Sequence, residues 1–193
     1  MPTQQPQPRR PLRADAERTV RAILEAAERV LSANPTATLE QIAEAAGVAR
    51  TTVHRRFATR EALLAALTAW ATRQFHTAVE TVSDSTPPLV ALHQVTANVL
   101  QVKIGWGFAM SAPAPEDPEV ARMHAEVLTR CDRLFERARD AGVLRADTDL
   151  AWARRVYYAL IHEAARPGPG DPDTPEALAA LVVDTLLGGL GPR

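Results

Sequence analysis

At 193 residues, 46% of them hydrophobic, the chain can form one domain or a small domain joined to a larger one, with a real core either way. A net charge of −1 excludes a uniformly basic nucleic-acid binder, yet the total conceals an asymmetry: residues 1–66 hold ten Arg against seven acids, and the remainder twelve basic against sixteen acidic residues. The single cysteine, Cys131, excludes an internal disulfide and a Cys-based zinc knuckle, and fits a reducing, cytoplasmic location.

Residues 1–13 contain four prolines and three glutamines and end in Arg9, Arg10 and Arg13, which reads as a disordered basic arm with no secretory h-region. From Asp15 the apolar positions Val20, Ile23, Leu24, Ala27, Val30 and Leu31 recur at three and four, predicting a helix that Asn34-Pro35 stops. Thr38 and Gln41 form a capping box opening a second helix, with Leu39, Ile42, Ala43 and Ala46 on one face, and Gly47 breaks it. A third helix follows almost at once, Arg50 to Phe57.

Thr59 caps a fourth helix that keeps phase from Leu63 to Val82, and Pro87-Pro88 separate it from a fifth running from Leu89 to Trp106. GFAMSAPAPEDP reads as an irregular connector with one short helical turn. Long helices are expected from Glu119 to Gly142 and from Leu150 to Ala165, then a flexible PGPGDPDTP loop, then a last helix from Leu178 to Leu190. No strand, internal repeat or membrane-spanning apolar run is present, so the fold class is all-α. Lys103, the sole lysine, reads as genomic base composition.

A helix, a short glycine-containing turn and a second helix make the helix-turn-helix arrangement, in which the second helix lies in the DNA major groove. The stretch TLEQIAEAAGVARTTVHRRFATREALL, residues 38–64, resembles the signature of the tetracycline-repressor (TetR) family. Thr38, Ile42, Ala43, Ala46, Gly47, Val48, Thr52, Phe57, Thr59 and Leu63 match its pattern. Arg60 stands where a lysine is usual, Ala49 replaces the usual serine and with it a helix cap, and His54 replaces the usual tyrosine.

Val53 and Phe57, four apart, face inward, which leaves Arg50, Thr51, Thr52, His54, Arg55 and Arg56 to project elsewhere. The resemblance implies DNA contact by Thr38 and phosphate contact by Thr52 and Arg60. Arg50, Thr51 and Arg55 are the candidates for base edges, since Arg reaches guanine O6 and N7 with two hydrogen bonds. Arg56 belongs to the same surface. His54 is either a phosphate contact or a packed neutral ring, and Arg9, Arg10 and Arg13 either enter the minor groove or form a plain tail.

For the remaining two thirds the resemblance implies a small-ligand and dimerisation domain. Residues unlike aliphatic filler mark a candidate pocket: Phe75, His93, Trp106, Phe108, Met110, Met123, His124, Cys131, Tyr157 and His162. VYYALI is apolar on almost every side of its helix, so Val156, Leu160 and Ile161, with Leu178, Leu181, Val182 and Leu186, are expected at a two-fold four-helix interface. HEAAR at 162–166 misses the H-E-x-x-H zinc motif because Arg166 occupies the second ligand position, and no P-loop, dinucleotide or nucleophile-elbow fingerprint occurs.

These readings divide the chain into a basic arm (1–13), a helix-turn-helix domain (14–59) and a helical ligand-binding and dimerisation domain (60–193). They predict a homodimeric regulator, not an enzyme and without cofactor or metal, that binds double-stranded operator DNA and is released by a small-molecule effector. An all-α ligand-binding protein whose helix-turn-helix no longer reads DNA is the alternative.

Overall fold

The computed structural model describes residues 10–111, 117–166, 168, 170 and 174–190, and the side chains of 10–13 and 190 are left aside. Among these residues the secondary structure is helical throughout: α1 (Arg10–Ala33), α2 (Leu39–Ala45), α3 (Arg50–Arg56), α4 (Arg60–Glu80), α5 (Pro88–Gly105), α6 (Gly107–Ser111), α7 (Pro118–Asp140), α8 (Leu150–Ala164) and α9 (Pro175–Leu190). None of these helices is long and apolar enough to cross a membrane.

Helix boundaries follow local chemistry. Asn34 turns the chain after α1 by accepting the Thr36 N–H on its side-chain oxygen at 3.1 Å, an Asx turn. The Thr38 hydroxyl accepts the Gln41 N–H while Gln41 Oε1 accepts the Thr38 N–H, closing the capping box on α2. Thr59, Asp117, Asp149 and Thr174 cap α4, α7, α8 and α9 by accepting N–H groups of their first turns. Helix α1 begins at Arg10, so residues 10–13 are helical rather than part of a disordered arm; residues 1–9 lie outside the described residues, as does most of the 167–175 loop.

The chain falls into two compact units, one ending at Leu67 and the other beginning at Thr68. That division lies inside α4, beyond the expected boundary at residue 59, because the first two turns of α4 bury Leu63 and Leu67 completely in the first unit. In that unit α1 packs on α2 and α2 on α3, around Ile23, Leu24, Leu31, Ile42 and Val53.

In the second unit α5 packs against α7, α8 and α9. Phe135 meets Tyr157 edge to face, ring centroids 5.4 Å apart. Thr96 gives its one hydroxyl proton to the Leu92 carbonyl at 2.6 Å, so the Tyr157 hydroxyl, 2.8 Å away, is the donor to Thr96.

Helix α9 corrects part of the interface expectation. Leu178, Val182 and Leu186 are buried inside the subunit with Ala179 and Val183, and Ile161 of α8 is buried likewise. The phase of α9 turns that face onto α5 and α8, and leaves Leu181 half exposed on the other side. Val156 and Leu160 are only partly buried. Leu186→Ala is therefore expected to lower unfolding stability by about 2–5 kcal/mol in a urea titration, whereas Leu181→Ala leaves the subunit core intact and costs far less.

Candidate functional site

Gly47, at φ 66°, turns the chain between α2 and α3, a conformation that only glycine adopts cheaply. Its N–H donates to the Glu44 carbonyl and that of Val48 to the Ala43 carbonyl, which closes the Schellman pattern and aims α3. Val53 is fully buried and Phe57 nearly so, so α3 is seated by the pair that its spacing marks. Ala49 sits at the N-cap without a side-chain hydrogen bond, as the loss of the usual serine implies.

With that face inward, Arg50, Thr51, His54, Arg55 and Arg56 are exposed and Thr52 is half-buried. Arg55 and Arg56 have no ion-pair partner among the described residues. Arg50 meets Glu40 of α2 at 2.5 Å, and His54 Nε2 lies 3.5 Å from the same carboxylate. Backbone hydrogen bonding, then the Thr38 hydroxyl, then Arg50 and His54 hold the Glu40 carboxyl below its ordinary pKa. Such an exposed pair is weak, so a phosphate or base edge can take Arg50 from it. Thr38 accepts the Gln41 N–H through its oxygen at the cap and turns its one hydroxyl proton to the Glu40 carboxylate.

Arg60 makes contacts within the protein that its sequence position does not reveal. Its guanidinium donates to the Ala37 carbonyl and, at 2.5 Å, to the Pro35 carbonyl, tying the start of α4 to the turn before α2. The partners are backbone groups over twenty residues away, so no sequence pattern announces them.

The second unit holds a cavity of about 490 Å³ whose walls come from α4 and the turn after it, α5, α6, α7 and α8, and are mostly apolar. Phe75, Met110, His124, Cys131, Tyr157 and His162 line it. His93, Trp106, Phe108 and Met123 do not: α5 turns Ala91, Val95, Val99 and Lys103, each four apart, toward the cavity, and His93 is two residues out of that phase. Trp106 borders a separate, more polar groove with Gln74, Asn98 and Gln101, and Met123 is buried outside the lining.

Selection by residue type missed Lys103, Arg130, Arg137, Asp84 and Tyr158, all in the lining. The signal for Lys103 was its position as the charged fourth member of an apolar i+4 series. The Tyr158 hydroxyl is buried beside the Cys131 thiol, a weak hydrogen-bond partner, and has no nitrogen or oxygen partner among the described residues. Burial raises the pKa of both Tyr157 and Tyr158, and pushes the Cys131 thiol up to about 11. Cys131 is thus a neutral thiol at physiological pH.

His76, Glu80 and Glu126 bring three ligand-type atoms within 4.8 Å of one another, the one such group among the described residues. The His76 ring nitrogens already meet Glu126 at 2.7 Å and Glu80 at 3.3 Å, and Arg122 pairs with Glu126 at 2.6 Å. A cation would have to displace these contacts. The cluster joins α4 to α7 as an ion-pair network.

A capped helix and a glycine turn that hold a short basic helix with its polar side outward, in a chain that also carries an apolar cavity, define a helix-turn-helix DNA-binding regulator. The chain belongs to the TetR family: residues 23–67 match the family described as "Bacterial regulatory proteins, tetR family". It is 38% identical over 157 residues to the HTH-type transcriptional repressor LfrR of Mycolicibacterium smegmatis, an alignment covering 79% of this chain and 82% of LfrR.

The crystal structure of LfrR from Mycobacterium smegmatis in complex with proflavine is similar at a TM-score of 0.68 and 32% identity, covering 91% of this chain and 99% of that one. PfmR from Thermus thermophilus, at 19% identity, shares the fold with a TM-score of 0.73 over 89% of this chain and 98% of its own.

Two outcomes test this geometry. Arg60→Ala removes a charged donor from two carbonyls and is expected to lower unfolding stability by about 1.5–3 kcal/mol, read by urea titration; an unchanged midpoint would mean that the tie is not made. Iodoacetamide labelling of Cys131 in the native protein is expected to stay slow at pH 8 and to climb only toward pH 11, because the raised pKa keeps the thiol protonated. Labelling at pH 8 as fast as a free thiol would contradict it.

Proposed function

We propose that the chain is a ligand-responsive transcriptional repressor that binds a near-palindromic operator as a homodimer and is released by a small-molecule effector. The observation that carries the ligand-responsive part is the cavity, roomy and apolar, with a buried phenol whose one polar neighbour is a thiol and which an effector can satisfy better. The relative LfrR is named a repressor and is known with proflavine bound, which supports both halves of the reading.

On DNA, α3 enters the major groove. Arg50, Thr51 and Arg55 read base edges, while Thr38, Thr52 and Arg56 contact phosphates and His54 lies beside them. Arg60 supports this surface through the turn before α2 and offers its remaining donors to a phosphate. Two subunits place two α3 helices about 34 Å apart, one helical turn of DNA.

Dimerisation is supported by the outer faces of α8 and α9, which pack on each other. Trp152, 52% exposed, stands at four-residue spacing with the partly buried Val156 and Leu160 on α8, and Leu181 of α9 is 50% exposed, apolar surface that a two-fold partner would cover. The helix that buries Leu63 and Leu67 in the first unit carries Phe75 and Val79 at the cavity wall, so α4 is the route by which an effector acts. The effector works only through a preference for the form that cannot hold DNA.

Selection from random duplexes is expected to enrich a palindrome. Arg55→Ala should then lose about 1–3 kcal/mol of discrimination at one base of each half-site, and Arg56→Ala should weaken all sequences alike and reduce the salt slope by about one. A selection that enriches no palindrome would favour a ligand-binding protein whose uncapped α3 has lost its DNA function.

A further inference from the structure

We propose that the cavity takes an amphipathic anion: an apolar body, flat or elongated, that ends in a carboxylate or similar oxyanion held by Lys103. This rests on the reading of the cavity as an effector site and names the charge class of its occupant.

The charges of the lining are unbalanced. Among the described residues, Lys103, Arg130 and Arg137 face one acid, Asp84, with His124, His162 and the neutral Cys131, Tyr157 and Tyr158 as the other titratable groups. Asp84 lies 3.9 Å from Arg133, outside the lining, and Arg130 lies 3.6 Å from Glu80. Arg137 gives its donor to the Thr86 carbonyl and has no carboxylate partner among the described residues.

Lys103 has no partner at all among the described residues, neither an ion pair nor a hydrogen bond. It is half-buried, and desolvation alone pulls its pKa below the ordinary lysine value. A desolvated ammonium without a counter-ion is a cost to the folded chain, which an entering anion removes.

The shape of the cavity agrees with a ligand of two parts. From Ala91 to Lys103 its α5 wall runs twelve residues, about 18 Å of helix, and the side chains between are Val95 and Val99. Phe75 and the two tyrosines add aromatic surface, and the Tyr158 hydroxyl, held only by the Cys131 thiol, offers a further polar contact. The described lining sets three cations against one acid, so a preference for an anionic end would distinguish this cavity from that of LfrR, whose known ligand proflavine is a cation at neutral pH.

The test uses three fluorescent probes of one shape and different charge: anthracene-9-carboxylate, 9-anthracenemethanol and 9-(aminomethyl)anthracene. Each is titrated against the full-length protein, its Lys103→Met variant, and Lys103→Arg, which keeps the charge. The carboxylate is expected to bind wild type about tenfold more tightly than the ammonium, and Lys103→Met to weaken it about tenfold. Lys103→Arg should retain the preference, and the alcohol should bind all three proteins within about twofold.

Binding of the ammonium or alcohol as tightly as the carboxylate, or a carboxylate affinity untouched by Lys103→Met, would overturn the charge class and leave the effector reading standing. Failure of all three probes to bind would overturn both.

Discussion

A helix of seven residues cannot hold its shape or its direction alone in water. Helix α3 depends on the burial of Val53 and Phe57, and on Gly47, which lets the chain reverse in the space that α2 leaves. Once those two apolar side chains are seated, the remaining positions have nowhere to go but outward. The basic surface is thus a consequence of packing, and the reach of Arg50, Arg55 and Arg56 toward a partner is as well defined as the seat beneath them. Arg60 adds to that seat by holding the turn before α2 against the start of α4.

The parts of this that were legible in the sequence are those where a local rule has one solution. An apolar pair four apart, a threonine three before a glutamine and a glycine between two short helices each point to one geometry, and the structure contains all three. Helix α9 has no such single solution. It is apolar on several sides, so Leu178, Leu181, Val182 and Leu186 could not be divided between core and surface until α5 and α8 were in place. The cavity was hidden for a related reason. Residue type suggested His93, Trp106, Phe108 and Met123, but helical phase decides what lines a wall, and phase on α5 favours two valines and a lysine. Arg60 was illegible because its partners are main-chain carbonyls of a distant turn.

Adjacent tyrosines illustrate how one helix serves both fold and site. Tyr157 donates to Thr96, whose own proton goes to Leu92, so its hydroxyl is fully accounted for inside the core. Tyr158, one residue on, lines the cavity with only the Cys131 thiol beside its hydroxyl. A buried donor with only a weak partner lowers stability, and such departures from good packing chemistry concentrate where a protein meets its ligand. Lys103 departs in the same way on the opposite element. Both costs fall on the unliganded state, which gives an entering molecule leverage over the helix it touches.

Cys131 is the sole cysteine and is buried, so a thiol placed on the outer face of α3 can be modified selectively. A DNA-cleaving iron chelate attached to a Thr51→Cys variant reports where that face lies on a bound duplex. The expected result is cutting confined to two major-groove positions about ten base pairs apart. Cutting spread evenly along a duplex that the labelled protein still binds, or none at all, would contradict the placement of α3 on DNA.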